Sequence, residues 1–112
     1  MNTIDILRSA RALITEREDW CQGTESIDRN GLECSPFSQD SVCWCATGAI
    51  LHIVDDLPRS IAAFKALAAL LPSDSGKTAE NVIAHWNDAP ERTHAEVLAA
   101  FDRTIAKLEA QS

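Results

Sequence analysis

The sequence predicts a mainly α fold. It reads as one compact bundle of about five helices, with a small β-hairpin or loop excursion near residues 22–36, forming a single domain over 1–112. Three observations predict it. Apolar residues recur three and four apart along most of the chain, the spacing that lays them on one face of a helix. The composition is 46% hydrophobic with no tyrosine, and that apolar share is heavy in Ala and Leu, which favours helix over strand. The chain has 112 residues, 24% of them charged, the size and make-up of one globular domain able to bury a core without staples.

The elements follow in order. Ile6, Leu7, Ala10, Leu13 and Ile14 define a first amphipathic helix, with Thr3 as its cap and Asp5 in its first turn. Trp20 falls seven residues after Leu13 and extends that stripe if the helix runs so far. Gln22 to Pro36 is polar and carries Asn30-Gly31, a strong hairpin-turn signal, with Ile27, Leu32 and Cys34 as the residues able to anchor it. A second helix is expected from Ser38 or Asp40 to Val54. Its stripe is Val42, Cys45, Ala46, Ala49, Ile50 and Ile53, and Trp44, Leu51 and Val54 form a further apolar face. A helix apolar on more than one side is buried on more than one side, which makes this the central helix. Gly48 inside it costs roughly 1 kcal/mol against Ala, justified by a close approach of a neighbouring helix or a ligand.

Asp55-Asp56-Leu57-Pro58 breaks the chain, and Pro58 suits the first turn of a third helix. Leu57, Ile61, Phe64, Ala68 and Leu71 line one side of it, and Pro72 stops it. Ser73-Asp74-Ser75-Gly76 is a turn-rich connection, after which Thr78 caps a short helix bearing Ala79, Val82, Ile83 and Trp86. Asp88-Ala89-Pro90-Glu91 adds a turn. Thr93 and Glu96 then form a Thr-x-x-Glu capping box that opens a last helix with Val97, Leu98, Phe101, Ile105 and Leu108.

Charge narrows the function classes. The net charge is −7, and the segment from Glu16 to Asp56 carries it all, nine acids against two bases, while the rest balances to zero. Phosphate backbones call for clustered Lys and Arg, so direct nucleic-acid binding is disfavoured. No apolar run approaches the ~20 residues of a membrane span. The N-terminus has no basic start followed by an apolar core, so a cytoplasmic location with reduced cysteines is expected. Gly23, Gly31 and Gly76 form no phosphate cradle, and no cofactor is expected.

Some residues could carry chemistry. Cys21, Cys34, Cys43 and Cys45 suffice in number for a zinc site, but no Cys-x-x-Cys pair is present, and no metal ligand set is assigned. Cys43 and Cys45 in the first turns of a helix, with His94 opening the last helix and Asp88 upstream, offer a nucleophile, base and orienter on paper. Cys45, His94 and Asp88 are therefore the candidates for catalysis. Trp20, Trp44 and Trp86 lie on or beside apolar stripes and serve either the core or an aromatic-lined groove. Trp86-Asn87-Asp88 with Thr93-His94 is the densest run of specific donors and acceptors, although Asp88 and Thr93 suit helix caps and Asn87 a helix C-terminus.

These residues also carry a resemblance. Ala10-Arg11, Leu13-Ile14, Trp20, Gly31, Trp44-Cys45-Ala46, Gly48-Ala49-Ile50, Trp86-Asn87-Asp88, Thr93-His94 and Glu96-Val97-Leu98 together resemble a group of small uncharacterised proteins of bacteria and their phages, classed as a domain of unknown function. The resemblance covers most of the chain. It implies a compact helical domain and no particular activity, and Cys21, Cys34 and Cys43 stand outside its pattern.

The leading expectation is a non-enzymatic interaction or regulatory domain. It would bind a protein partner, a basic one, through an acidic surface with Glu25, Asp28 and Glu33, or through an aromatic groove with Trp44, Trp86 and Asn87. A subset of this reading is a phage-type inhibitor that presents acids where a target expects phosphate. A small Cys/His-dependent hydrolase or transferase and a zinc-stabilised module are the alternatives.

Overall fold

The computed structural model describes residues 1–54, 57–72 and 76–112. The expected break at Asp55-Asp56 and the Ser73-Asp74-Ser75 part of the turn-rich connection lie outside the described residues.

Helix α1 (Thr3–Leu13) buries Ile6, Leu7 and Ala10. Its cap is Asn2, whose side chain accepts a hydrogen bond from the Asp5 N–H at 2.8 Å. Thr3, expected in that role, is instead the first helical residue. A single 3-10 turn at Arg17–Asp19 follows, and Trp20 then enters the core from extended backbone rather than from a longer α1.

The excursion is larger than expected and is built differently. Strand β1 (Ser26–Asp28) pairs antiparallel with strand β2 (Ser41–Trp44), with Ser26 opposite Trp44 and Ile27 opposite Cys43. The turn signalled by Asn30-Gly31 is present: Gly31 has φ +83°, and the Asp28 N–H donates to the Leu32 carbonyl at 2.8 Å. Yet Ile27 meets Glu33 only in an isolated bridge, and the ladder proper uses residues expected at the start of the second helix. Residues 41–44 have β-branched and aromatic character, and their backbone finds partners on both sides, β1 on one and Trp20 in a parallel bridge on the other. That pairing outcompetes helix, so helix α2 (Ala46–Val54) begins later than the periodicity suggests.

Of the expected anchors of the excursion, Cys34 serves through its carbonyl and Leu32 does not. Leu32 is 63% exposed. A polar lattice holds the excursion instead. The buried Ser26 hydroxyl donates to the Cys34 carbonyl at 2.7 Å, Ser41 Oγ donates to the Ser38 carbonyl at 2.9 Å, and His52 Nδ1 donates to the carbonyl of buried Pro36 at 2.7 Å.

Helix α2 is central, as expected. Ala46 to Leu51 and Val54 are all buried, and the helix packs against α1, α3 and α4. Helix α3 (Leu57–Ala68) takes Pro58 in its first turn but buries a face set by Ser60, Ala63, Phe64 and Leu67. Leu57 and Ile61, expected on the core side, are 49% and 44% exposed. The small Ser60 and Ala63 suit the close packing of α3 on α2, and the helix ends at Ala68, ahead of Pro72.

Helix α4 (Ala79–Asp88) is capped by Thr78, which accepts from the Asn81 N–H at 3.2 Å. Helix α5 (His94–Gln111) opens with the expected capping box. Thr93 Oγ1 accepts from the Glu96 N–H at 3.2 Å, and Glu96 accepts from the Thr93 N–H at 2.9 Å. Phe101, Leu7, Ile14, Ile50, Leu67, Ile83 and Val97 fill the core between the helices. Arg11 pairs with Asp102 at 3.0 Å, and Arg8 pairs with Glu109, tying α1 to α5 on the surface. Among the described residues, no helix is long and apolar enough to cross a membrane.

Candidate functional site

The Trp-Asn-Asp block at the end of α4 is where the chain spends its most specific polar groups. Asn87 is completely buried. Its Oδ1 accepts from Trp20 Nε1 at 2.8 Å and from the Ala46 N–H at 3.1 Å. Its Nδ2 donates to the Cys21 carbonyl at 3.2 Å and to Asp88 Oδ1 at 3.0 Å. Both ends of the amide are thus in use, on three separate segments. Asp88 caps no helix; its carboxylate accepts from the Gly23 N–H at 2.9 Å. Gln22 completes the clasp by donating to the Asn87 and Ala89 carbonyls at 2.8 and 2.9 Å. Asn87 and Asp88, expected as helix-end or site residues, therefore close with Trp20 and Gln22 a buckle that fixes the 20–25 loop between α4 and the start of α2.

The same loop explains Gly48. A Cβ there would lie 1.8 Å from the Glu25 carbonyl oxygen. The close approach is made by a loop backbone, neither helix nor ligand. The Glu25 carbonyl also accepts from the Cys45 N–H at 3.2 Å, so the loop crosses directly over the first turn of α2.

Cys45 stands just before α2, with Cys43 in β2 rather than in a helical first turn. The Cys45 sulfur accepts from the Gly48 N–H at 3.3 Å and lies 3.0 Å from the Thr47 hydroxyl. It therefore fills the capping place that an oxygen side chain usually takes. Burial pushes its thiol up, against the opposing hydrogen bonds of Thr47 and Gly48. His94 does open α5, but its Nε2 donates to the Ile14 carbonyl at 2.7 Å, and its ring lies 5.9 Å from that of Trp20. No hydrogen bond joins Cys45 to His94. Trp20 and Asn87 link the two neighbourhoods instead.

The tryptophans divide. Trp20 and Trp44 are in the core. Trp44 leans on His52 at 5.0 Å between ring centroids, and its Nε1 is a buried polar atom that finds no partner among the described residues. Trp86 is half-buried beneath Arg92, whose guanidinium sits 4.2 Å from the ring centroid while its Nε donates to the Trp86 carbonyl at 2.9 Å. Among the described residues, no group of three or more His, Cys, Asp and Glu side chains is placed to hold a metal ion.

The acidic candidates occupy the excursion. Asp28 organises its turn, accepting from the Asn30 and Leu32 N–H groups at 2.9 and 3.1 Å. Glu25 is partly buried, and that burial, with the neighbouring Glu80 carboxylate, raises its carboxyl above the usual range. Glu33 and Asp40 are exposed. Sequence reasoning missed what stands among them. Leu32, Phe37 and Val42 are 63%, 43% and 40% exposed, three of the six large exposed apolar side chains of the described residues. A signal was available. Phe37 follows Ser35-Pro36, and the Ser35 hydroxyl accepts from the Phe37 N–H at 3.1 Å, a side-chain turn that lifts residue 37 outward. A second apolar surface lies between α3 and α4, a groove of about 530 Å3 lined by Leu57, Ile61, Phe64 and Ala79 with Lys65 and Lys77 on its rim.

No curated protein and no solved structure matches the chain. The model of one family, described as a family of unknown function, matches residues 1–107.

Proposed function

We take as premise that the chain belongs to that family, DUF6197, and propose that it is a non-enzymatic interaction domain that docks a basic protein partner on its excursion, residues 22–44. One observation carries the reading. The excursion carries four acids, Glu25, Asp28, Glu33 and Asp40, against Arg29 alone, and it also holds Leu32, Phe37 and Val42 in the open. Apolar side chains rimmed by charge are the make-up of a recognition surface, with burial supplying affinity and charge supplying partner choice and rate. Asp28 and the Ser26–Cys34–Ser41 lattice hold the surface in shape before a partner arrives, which lowers the ordering cost of binding.

The hydrolase reading has less support. Catalysis needs a thiol, an imidazole and a carboxylate that meet. Cys45, His94 and Asp88 each give their polar atoms to other partners inside the fold. The proposal includes a cytoplasmic, bacterial or phage setting, following the sequence resemblance. There, an acidic docking face would suit an inhibitor of a protein that ordinarily grips phosphate.

The test is affinity capture from bacterial lysate with the wild-type protein, a Leu32→Ser/Phe37→Ser variant and a Glu33→Lys/Asp40→Lys variant as parallel baits. A partner held by the wild type should be lost with both variants and weaken as salt rises. Equal retention by all three baits would overturn the docking face.

A further inference from the structure

We infer that Cys21 and Cys43, at the two roots of the excursion, form a peroxide-sensitive thiol pair that closes to an intramolecular disulfide. The backbone brings them together. Trp20 and Trp44 face each other in a parallel bridge, and the Cys21 N–H donates to the Trp44 carbonyl at 3.1 Å. Cys21 therefore runs beside the Cys43-Trp44-Cys45 stretch, and the alternation of extended backbone puts Cys21 and Cys43 on one face, opposite the paired indoles of Trp20 and Trp44. Both residues are half-buried and keep some surface open to a small oxidant. The other two thiols are committed elsewhere: Cys45 is 3% exposed, its sulfur held by the start of α2, and Cys34 sits 3.3 Å from the Ser26 hydroxyl.

The chemistry balances with hydrogen peroxide as oxidant. One sulfur, as thiolate, attacks a peroxide oxygen; the O–O bond breaks, leaving a sulfenic acid and one water. The second sulfur attacks the sulfenic sulfur, the S–O bond breaks, and a second water leaves with the remaining proton. Two thiols and one peroxide become one disulfide and two waters. Burial and the neighbouring thiols of Cys43 and Cys45 push the Cys21 thiol up. A thiol raised in this way is a poor first nucleophile towards peroxide, so Cys43 takes the first step and Cys21 is the resolving sulfur. Only its consequence for docking rests on the proposed function: the bond staples both roots of the excursion.

The experiment uses the isolated full chain, so its result is independent of any partner. The protein is treated with equimolar hydrogen peroxide under denaturant-free conditions, alkylated and weighed intact, then digested with trypsin without reduction. The expected product has lost two hydrogens and links peptide 18–29, which contains Cys21, to peptide 30–59. A Cys34→Ser/Cys45→Ala variant should form the same link, and Cys43→Ser should not. Folding of each variant is checked by circular dichroism. If Cys34→Ser/Cys45→Ala does not fold, a second protease that separates Cys43 from Cys34 and Cys45 assigns the link in the wild type. Oxygen additions without a link, a link to Cys34 or Cys45, or a bond only between two molecules would each overturn the inference.

Discussion

At Gly48 a single methyl group would separate two outcomes. In an ordinary helix, Gly→Ala gains roughly 1 kcal/mol from backbone entropy. Here the added Cβ would meet the Glu25 carbonyl at 1.8 Å, and the contact is backbone, so no side chain can swing away. Gly48→Ala should therefore lose about 3 kcal/mol, read as a lower urea midpoint at unchanged slope. A gain would show that the loop does not lie over α2. Asn87 is the other hinge of the same contact. Asn87→Ala leaves Trp20 Nε1 and the Ala46 N–H buried without their acceptor, at a cost of about 3 kcal/mol. Thermal unfolding, together with a red shift in tryptophan emission as Trp20 loosens, checks it. Glu25 shows how a charge can work against the fold. Its carboxyl is raised above the ordinary 4.5 by burial and by Glu80. The folded state therefore holds that proton more tightly than the unfolded one, and the stability it confers is lost as the pH rises from 4.5 through the folded value. Glu25→Gln should raise the melting temperature at pH 7 and match the wild type at pH 3. A lower melting temperature at pH 7 would contradict the assignment.

The elements differ in how plainly the sequence declares them. The capping box was legible because its whole mechanism is local: Thr93 and Glu96 need only each other and their own backbone. Thr93→Ala should cost about 1 kcal/mol in urea unfolding, the usual worth of a cap. Glu96 is held below the ordinary carboxylate range, first by the Thr93 N–H, so its share is present above that range and fades as the pH falls through it. Residues 41–44 were not legible in the same way. Val42 and Cys45 fit a helical stripe, and nothing local reveals that β1 and Trp20 will supply hydrogen bonds from two sides. The α3 face was misread for a related reason. Leu57 and Ile61 flank Phe64 at helical spacing as well as Ser60 and Ala63 do, and only the closeness of α2 selects the smaller pair. The excursion also offers a prediction at this scale. Leu32→Ser and Phe37→Ser remove exposed side chains and should shift stability by less than about 0.5 kcal/mol, while abolishing partner capture. A large loss of stability would make these residues part of the core rather than of a docking face.

Across the molecule, two thiols set the alkaline limit. Cys21 and Cys45 are both raised above their ordinary 9.0, each chiefly by burial. Above that pH the unfolded chain releases protons that the folded chain still holds. Their contribution to stability is therefore full below pH 9.0 and declines as the pH rises beyond it. Urea midpoints at pH 7 and pH 10 should show that decline, and a Cys21→Ser/Cys45→Ser variant should flatten it. An equal decline in the variant would assign the effect to other groups. The imbalance of charge acts over the same range of distance. The excursion carries Glu25, Asp28, Glu33 and Asp40 against Arg29 alone, so added salt should slow docking far more than it alters folding.

The sequence alone determined the helices whose signals are short-range: the apolar stripes of α1 and α5, the Thr78 cap, the capping box and the positive φ at Gly31. It also located the residues of greatest specificity, Trp86-Asn87-Asp88, without revealing their task. Tertiary structure decided that task, because the four hydrogen bonds of Asn87 reach Trp20, Cys21, Ala46 and Asp88, three of them more than 40 positions away. It likewise decided which apolar side chains stay outside. Periodicity reports that a face is apolar, but burial depends on whether another element arrives to cover it, and Leu32, Phe37 and Val42 have none.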